Sequence, residues 1–229
     1  VRSRRQRQMC IRDRFMRNSF LIMFLCIHFL GQSQNSDLFQ LWPDTALAKA
    51  NSAINVECMV EQEKQVIYYI NLCRMNPSLF EETFLKNYLK ENRIKKDKNV
   101  KELITNLKET GPRVLLKPDR ILTETARKHA IDMGNSGRTG HNASDGTPYR
   151  SRMEELLVKF SSVNENANYG NELAIDIVIN LLIDSNSPNA GHRRNILDIE
   201  SRFIGVAIEP HKRYKSNCVQ VFGGAKNEH

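Results

Sequence analysis

Two histidines that each follow a glycine are the residues of this chain best suited to chemistry. His141 precedes an asparagine, and His192 precedes a pair of arginines. Two acids, Glu165 and Asp184, lie between them in the chain. Neutral imidazoles and carboxylates are the ligands that zinc and similar divalent cations take in proteins. The four side chains therefore form a candidate site for Zn²⁺ or another divalent cation.

The spacing of these four residues leaves two interpretations open. His141 and Glu165 are 24 positions apart, Glu165 and Asp184 are 19 apart, and Asp184 and His192 are 8 apart. No short metal-binding motif has these intervals. In the alternative interpretation, the same polar side chains cap helices and stabilise turns through hydrogen bonds to the backbone. The residue types and spacing alone favour this second interpretation.

These side chains belong to five stretches that are predicted to lie on loops beside the helices: residues 140–142, 144–146, 164–166, 182–184 and 191–195. Nucleophilic catalysis is a third hypothesis for these loops. Ser144 and Ser185 are predicted loop serines, with His141 and His192 as candidate bases. The sequence contains no GxSxG elbow. Cys73 falls inside a helical pattern, which favours a position in the core. Serine or cysteine hydrolysis is therefore not favoured.

The net charge of the chain raises the question of a nucleic-acid partner. The formal charge is +8 over 229 residues, but residues 1–33 carry seven arginines and one aspartate, which leaves +2 for the rest. Nucleic-acid binding requires a basic face, so it is not expected here. The chain is 40% hydrophobic and 26% charged, a composition typical of a packed globular protein and not of a disordered one.

The N-terminal residues predict an export signal. Residues 16–33 contain a basic start, an apolar run of eleven residues from Phe20 to Leu30, and a small-x-small site that ends at Ser33. Eleven helical residues cannot cross a hydrocarbon core of about 30 Å, so no stable membrane span is expected after signal cleavage. Residues 1–15 are expected to be a non-native or basic leader before Met16. The expected location is extracellular or periplasmic.

Three cysteines follow the predicted signal peptide. Cys58, Cys73 and Cys218 are an odd number for an exported protein. One disulfide with one free thiol is an open possibility, because pairing cannot be read from sequence. No CxxC spacing occurs, so a zinc site built on cysteines is not expected.

Hydrophobic periodicity predicts helices in the first two thirds of the chain and strands near its end. Helices are expected over residues 61–75, 78–90, 100–107, 118–133, 147–158 and 171–184. Two β-rich runs, at residues 203–208 and 218–222, are joined by a turn-like stretch at 210–217 and predict a hairpin. Helices followed by strands indicate the α+β class.

Individual side chains within these elements also carry expectations. Ser78 with Glu81 predicts a capping box. His129 lies on an apolar helical stripe and is expected in the core, whereas His211 lies in the predicted turn and is expected to be solvated. Four apolar side chains are expected either to belong to the core or to line a lipid-binding groove: Phe80, Phe84, Tyr88 and Leu89.

An ordered set of motifs resembles the CAP superfamily, which comprises cysteine-rich secretory, antigen five and pathogenesis-related proteins and is also called SCP-like. The motifs are HAIDM, GHNASDGT, NENANYG, GHRRNIL, IGVAI and CVQVFG. GHRRNIL and the lead-in EKQVIYYINLCRMNP resemble the secreted bacterial branch in particular. The resemblance predicts one domain over residues 61–223, after a linker at 34–60 and before a tail at 224–229.

This resemblance implies an α-β-α sandwich with a twisted antiparallel sheet between helical layers. It also implies a cleft formed by two histidines and two acids, here His141, His192, Glu165 and Asp184. In the family the last acid is usually a glutamate three residues after a tryptophan, and this chain has Asp184 and Leu181 at those positions. Some members bind zinc-group metals in the cleft, others bind sterols or fatty acids, and protease activity has been proposed.

Three functional hypotheses follow. The first is a secreted binding or interaction module whose cleft holds a divalent cation and whose ligand is a lipid or cell-surface component. The second is a metal-assisted, protease-like hydrolase with Glu165 as general base and hence as its catalytic residue. The third is a lipid- or sterol-binding protein without catalysis. A fold does not choose among them, and a non-enzymatic role is the expectation.

Overall fold

The computed structural model describes residues 38–185 and 189–226. The predicted leader and signal peptide lie outside these residues. Residues 38–43 belong to a unit of their own, in which the backbone amide of Trp42 donates to the carbonyl of Phe39. All elements below belong to the unit that starts at Asp44. No helix in the described ranges is long and apolar enough to cross a membrane.

Helices dominate the first part of this unit and strands its end, as the periodicity predicts. The helices are α1 (Asp44–Ala50), α2 (Glu61–Met75), α3 (Pro77–Phe80), α4 (Lys86–Glu91), α5 (Lys98–Glu109), α6 (Arg120–Ser136), α7 (Tyr149–Glu154), α8 (Ala174–Ile183) and α9 (Gly191–Leu197). A π-helical turn, Glu81–Leu85, joins α3 to α4, and a 3-10 turn, Glu155–Val158, follows α7. The strands are β1 (Lys117–Pro118), β2 (Val163–Tyr169), β3 (Ser201–His211) and β4 (Lys215–Gly224).

The four strands form one sheet in the order β1-β3-β4-β2. The central strand β4 runs antiparallel to both of its neighbours, with Ala207 of β3 opposite Val219 and Glu165 of β2 opposite Val221. The two-residue strand β1 pairs with β3 in parallel. The α+β class is confirmed, and the short parallel edge strand makes the sheet mixed where a purely antiparallel one was expected.

Helices cover the sheet from both sides. Ala126 and Ala130 of α6 pack in one apolar cluster with Ala207, Val219 and Val221. Because side chains alternate between the two faces of a strand, their neighbours point to the opposite face, where α2 contacts β3 and α8 and α9 contact β2. The opposite-face residues are completely buried: Ile204, Val206, Cys218, Gln220 and Phe222. The α-β-α sandwich is therefore present.

A glycine permits the close approach of α6 to the sheet. A Cβ atom at Gly205 in β3 would overlap the backbone of Leu122 and Thr123 in the first turn of α6. The obstacle is main chain, which cannot rotate away as a side chain can. Glycine at this position therefore sets how closely the helix and the sheet pack.

The predicted helices are present, with some differences at their ends. Asp119 caps α6, its carboxylate accepting from the amides of Ile121 and Leu122 at 2.8 and 3.1 Å. The predicted capping box at Ser78 is wrong. Asn76 caps α3 instead and accepts from the amide of Leu79 at 3.1 Å, because Pro77 takes the first helical position and places the cap two residues before Ser78.

Two stretches expected as loops are regular elements. Residues 163–169 form β2 and residues 191–197 form α9. Apolar alternation does not mark β2, because its buried positions include Asn166 and Asn168. Their amide groups are satisfied by hydrogen bonds within the protein, so polar residues fill positions where the pattern requires apolar ones.

The two histidines outside the candidate site within the described residues, His129 and His211, have different outcomes. His129 is 2% exposed, so its predicted core position is confirmed. The solvated position predicted for His211 is wrong, because its side chain is 4% exposed. Its Nε2 atom lies 2.8 Å from the carbonyl of Arg138, and its Nδ1 atom accepts from the turn amide of Arg213 at 3.1 Å. The hairpin turn is shorter than expected, because β3 extends to His211 and β4 begins at Lys215.

The cysteines and the candidate lipid-groove residues lie mainly in the interior. Cys58, Cys73 and Cys218 are all free thiols, with Cys58 exposed. Burial raises the pKa of Cys73 to about 12, which makes it inert as a nucleophile near neutral pH. Of the four apolar side chains considered for a groove, three are core residues: Phe80, Phe84 and Leu89.

Candidate functional site

The structure brings the four predicted site residues together at the β2 edge of the sheet. His141 lies in the loop after α6, Glu165 on β2, Asp184 at the end of α8, and His192 in the first turn of α9. The two imidazole ring centroids are 6.4 Å apart with an interplanar angle of 45°. Both rings reach solvent, with 42% of the His141 side chain and 26% of the His192 side chain exposed.

Glu165 orients the first imidazole. Its side chain is completely buried, and its Oε1 atom lies 3.0 Å from Nδ1 of His141. Arg152 of α7 donates to both oxygens of the same carboxylate, at 2.8 Å to Oε2 and 3.2 Å to Oε1. Arg152 also donates to the backbone carbonyl of His141. One arginine thus fixes both the acid and the loop that carries the histidine.

These contacts set the charge of Glu165. Burial by itself raises the pKa of a carboxyl group, but the hydrogen bonds from His141 and Arg152 outweigh it and hold the pKa of Glu165 below its usual range. Glu165 is therefore an anion near neutral pH. Its charge favours an Nδ1–H tautomer on His141.

Asp184 orients the second imidazole through two hydrogen bonds. Nδ1 of His192 donates to Oδ1 of Asp184 at 2.7 Å, and the backbone amide of His192 donates to Oδ2 at 2.9 Å. The carboxylate therefore caps the first turn of α9 and holds the ring in the same contact. Asp184 adopts a left-handed backbone conformation with φ of 56°, which aspartate tolerates better than most residues. The side chain of Asp184, which is one methylene shorter than that of glutamate, is long enough to make both hydrogen bonds with His192.

Both imidazoles therefore have their Nδ1 atoms on buried carboxylates, while no hydrogen bond within the described part of the chain occupies either Nε2 atom. This is the carboxylate–histidine arrangement that orients metal-binding histidines in proteins.

Two imidazoles on one tetrahedral zinc ion have ring centroids about 5 Å apart, given Zn–N distances of about 2 Å. The rings lie somewhat farther apart than that, so they must approach by about 1 Å to share an ion.

The two acids do not form a compact ligand set with the histidines. Within residues 38–185 and 189–226, no group of three or more His, Cys, Asp or Glu side chains is arranged to hold a metal ion. Glu165 and Asp184 contact the Nδ1 sides of the rings, so their position suits an orienting role. Direct coordination by these acids stays a prediction.

A network of amides connects the two halves of the site. Asn195 of α9 donates to Oδ1 of Asn166 at 2.8 Å and to the backbone carbonyl of Glu165 at 3.3 Å. Asn166 of β2 donates in turn to the carbonyl of His192 at 3.2 Å. These bonds fix α9, and hence His192, against the strand that carries Glu165.

Two buried arginines hold the two ends of α9. Arg74 of α2 is completely buried and donates to the carbonyls of Ile196 and Asp198 at 2.8 and 2.9 Å. Arg193 donates to the carbonyl of Leu182 at 2.8 Å. Burial lowers the pKa of Arg74 to about 10, which still leaves the guanidinium charged near neutral pH. The α9 helix of seven residues is therefore held by tertiary contacts at both ends.

Sequence reasoning missed three side chains that contact the site. Arg152 holds Glu165, and the Tyr149 ring packs edge-on against His141 at 5.7 Å between ring centroids. Nε2 of His129 lies 3.7 Å from Oε1 of Glu165, and burial lowers the pKa of His129. Tyr149 and Arg152 are three positions apart on the helix that follows the GHN loop, and that spacing is the sequence signal from which a shared face could have been predicted.

Ser144 does not have the environment of a catalytic serine. Its hydroxyl donates to Oδ1 of Asp132, and its backbone amide donates to Oδ2 of the same carboxylate at 2.7 Å. The Nδ1 atoms of His141 and His192, the candidate bases, bind carboxylates. The contacts of Ser144 are those of a turn, so the geometry does not support nucleophilic catalysis by this residue.

Comparisons with known proteins add a family match. A family model described as the cysteine-rich secretory protein family, CAP, matches residues 92–222. None of the curated proteins searched matches the chain significantly. These 131 matched residues are more than half of the 229-residue chain and include all four predicted site residues.

Solved structures with similar folds include proteins from bacteria and a flatworm. An outer surface protein of Borrelia burgdorferi is 23% identical, with a TM-score of 0.40, over 58% of this chain and 97% of that one. An extracellular protein of Bacillus anthracis that contains an SCP domain is 21% identical, with a TM-score of 0.39, over 56% of this chain and 40% of that one. Venom allergen-like protein 4 of Schistosoma mansoni is 11% identical, with a TM-score of 0.43, over 74% of this chain and 92% of that one.

Proposed function

Because the chain belongs to the cysteine-rich secretory protein (CAP) family, we propose that it acts outside the cytoplasm as a binding module whose His141–His192 cleft holds a divalent cation. The expected partner is a lipid or a cell-surface component. One observation carries the proposal: two solvent-accessible imidazoles face each other, and each is held by its Nδ1 atom on a buried carboxylate.

The donor chemistry of this cleft fits a borderline cation such as Zn²⁺. The Nε2 atoms of His141 and His192 would be the two protein ligands, and Glu165 and Asp184 keep the rings in the tautomer that leaves those atoms available. A cation held by two imidazoles retains coordination positions for an external group, so when bound it supplies an electrophilic anchor for an oxygen of the ligand.

Export is supported by the composition of the N-terminal residues. Residues 16–33 combine a basic start, an eleven-residue apolar run and a small-x-small site. The mature chain would then have a net charge of about +2. Membership of a family described as secretory agrees with this location.

The geometry favours binding over general-base catalysis by Glu165. Both oxygens of the Glu165 carboxylate are engaged by Arg152 and His141, and the side chain has no exposed surface. A general base must reach the proton of a substrate or of a water molecule. A carboxylate held in this way is better suited to orient His141.

Zinc titration by calorimetry tests the proposal. The wild-type protein is expected to bind one Zn²⁺ ion, and the double variant His141→Ala/His192→Ala is expected to lose that binding. Asp145→Asn is the matched control, because Asp145 is an exposed acid in the same loop as His141 and contacts neither imidazole. Equal heats from the wild type and the double variant would contradict the cation site.

A substrate profile tests the hydrolase hypothesis separately. Peptide, ester and glycan substrates are incubated with the zinc-loaded protein, with and without a chelator. The binding-module proposal expects no turnover that depends on the cation. Chelator-sensitive hydrolysis that is lost in His141→Ala/His192→Ala would replace it with an enzymatic function.

A further inference from the structure

Gly140, the residue before His141, is held at both of its backbone polar groups. Its amide donates to the Tyr169 hydroxyl at 2.9 Å, and the same hydroxyl donates to its carbonyl at 3.3 Å. Nε2 of His129 lies 3.0 Å from this carbonyl as well. The amide belongs to the peptide group before Gly140, and the carbonyl belongs to the planar peptide group that joins Gly140 to His141. One phenol hydroxyl therefore contacts both peptide groups that flank Gly140.

Gly140 depends on such contacts because glycine has the least restricted backbone of all residues. Its φ is 110°, a value that residues with a side chain rarely adopt. A Cβ atom at this position would meet nothing within 4 Å, so neighbouring side chains do not confine the backbone here. The peptide group on the other side of His141 has its own anchor, since Arg152 donates to the His141 carbonyl.

The ring that carries this hydroxyl is fixed by β2 and by the β3–β4 hairpin. Tyr169 is four residues after Glu165 on β2, so the two side chains leave the same face of the strand. Its ring packs edge-on against His211, at 5.4 Å between ring centroids, and lies 5.8 Å from the ring of Tyr214. Burial raises the pKa of Tyr169, so its hydroxyl keeps its proton near neutral pH and can accept and donate at the same time.

We propose that Tyr169 is a positioning residue for the cation cleft, because its hydroxyl fixes the backbone of Gly140 and hence the point from which the His141 side chain starts. The β2 strand then holds the loop twice, with Glu165 on the His141 ring and Tyr169 on the backbone before it. A contact at the ring alone does not fix the backbone behind it. The inference rests on the proposed function, since His141 would share its ion with His192.

The variant Tyr169→Phe removes the hydroxyl and keeps the ring. In the zinc-free protein, the Gly140 amide is expected to exchange with deuterium at least tenfold faster than in the wild type, because it loses its acceptor. The Val219 amide, in the central strand β4, reports global unfolding. An acceleration that is larger at Gly140 than at Val219 in NMR exchange measurements therefore marks a local release of the loop.

Tyr214→Phe is the matched control for this variant. Tyr214 belongs to the same aromatic cluster, and its hydroxyl has no hydrogen-bond partner within residues 38–185 and 189–226. The same chemical change is therefore made next to Tyr169 without loss of a contact to the loop. Exchange of the Gly140 amide in Tyr214→Phe is expected to match the wild type.

Two further measurements connect the loop to the cleft. The zinc affinity of Tyr169→Phe, measured by calorimetry, is expected to fall about tenfold, whereas Tyr214→Phe is expected to bind zinc as the wild type does. In the zinc-free protein at about pH 8, where imidazole is neutral, ¹⁵N chemical shifts report the tautomer of the His141 ring. The wild type is expected to hold the Nδ1–H form and Tyr169→Phe a mixture, because a ring displaced from Glu165 loses the carboxylate that favours this form.

Equal exchange of the Gly140 amide in the two variants would overturn the inference. A wild-type zinc affinity in Tyr169→Phe would also overturn it, whatever the exchange rates. If the wild-type protein binds no zinc, the proposed cation site fails, and the His141 tautomer decides in its place: an unchanged tautomer in Tyr169→Phe overturns the inference and a mixture supports it. A thermal melt checks that both variants are folded.

Discussion

Asp184 holds His192 by two hydrogen bonds, at 2.7 Å to the ring Nδ1 atom and at 2.9 Å to the backbone amide. The same carboxylate therefore sets the position of α9 and the tautomer of its histidine. The corresponding contact on the other side of the cleft joins His141 to Glu165 at 3.0 Å. Each imidazole thus depends on one acid for the availability of its Nε2 atom.

Asp184→Asn is expected to weaken zinc binding about tenfold to a hundredfold. An asparagine can offer an N–H to Nδ1 of His192, which would move the ring proton to Nε2 and block coordination. Calorimetric zinc titration measures the effect. Glu172→Gln, an exposed acid shortly before α8, is expected to bind zinc as the wild type does, and equal affinities for both variants would show that Asp184 does not orient the ring.

Arg152→Ala is expected to destabilise the fold by about 3 kcal/mol, because it leaves the Glu165 carboxylate buried without its guanidinium partner. Urea unfolding monitored by circular dichroism measures this loss. Arg150→Ala, an exposed arginine on the same helix, is expected to change the free energy of unfolding by less than about 0.5 kcal/mol. Similar losses in the two variants would mean that the Arg152–Glu165 pair contributes little.

Glu165 is expected to make the stability of the protein sensitive to acid. Its pKa is lowered in the folded state, whereas the unfolded value is about 4.3. A lowered folded pKa gives stability that is fully present above the unfolded pKa and is lost as the pH falls through the folded pKa.

The variant Glu165→Gln isolates this contribution. Below about pH 4.3, the free energy of unfolding of the variant is expected to fall less steeply with decreasing pH than that of the wild type. Urea midpoints measured from pH 7 to pH 3 give both slopes. Equal slopes of the free energy of unfolding against pH for the two proteins would show that the pKa of Glu165 is the same in the folded and unfolded states.

Gly205→Ala is expected to destabilise the protein by about 1–3 kcal/mol or more, because the new methyl group overlaps the α6 backbone at Leu122 and Thr123. Thermal unfolding measures the change. Gly111→Ala is the matched control, since a Cβ atom there meets nothing within 4 Å. Zinc binding by the folded fraction of Gly205→Ala is expected to persist, because β3 does not carry a site residue.

Much of the architecture could be predicted from the sequence because it follows from local patterns. The apolar stripe of α6, with Leu122, Ala126, Ala130 and Met133 at intervals of three and four, predicts both the helix and its buried face, and all four residues are fully buried. The order of the motifs indicated the family, and the family match confirms it. His141, His192, Glu165 and Asp184 were identified by residue type and by that resemblance.

Other features were hidden because their stabilising partners are distant in sequence. The β2 strand carries polar residues at buried positions, and their side-chain amides are satisfied by β4, α8 and α9, so hydrophobic alternation could not reveal it. His211 was expected in solvent but is buried because it binds the carbonyl of Arg138, 73 residues away. Arg152 reaches the site only because α7 contacts β2 and the loop that carries His141.

The amino-acid sequence by itself determined which residues could bind a cation, and it determined the larger helices and the terminal hairpin, because side-chain chemistry and periodicity are local properties. Only the tertiary structure decided that Glu165 and Asp184 contact the Nδ1 sides of His141 and His192. That choice depends on hydrogen bonds between segments that meet only after folding, and these bonds determine which ring nitrogen stays free.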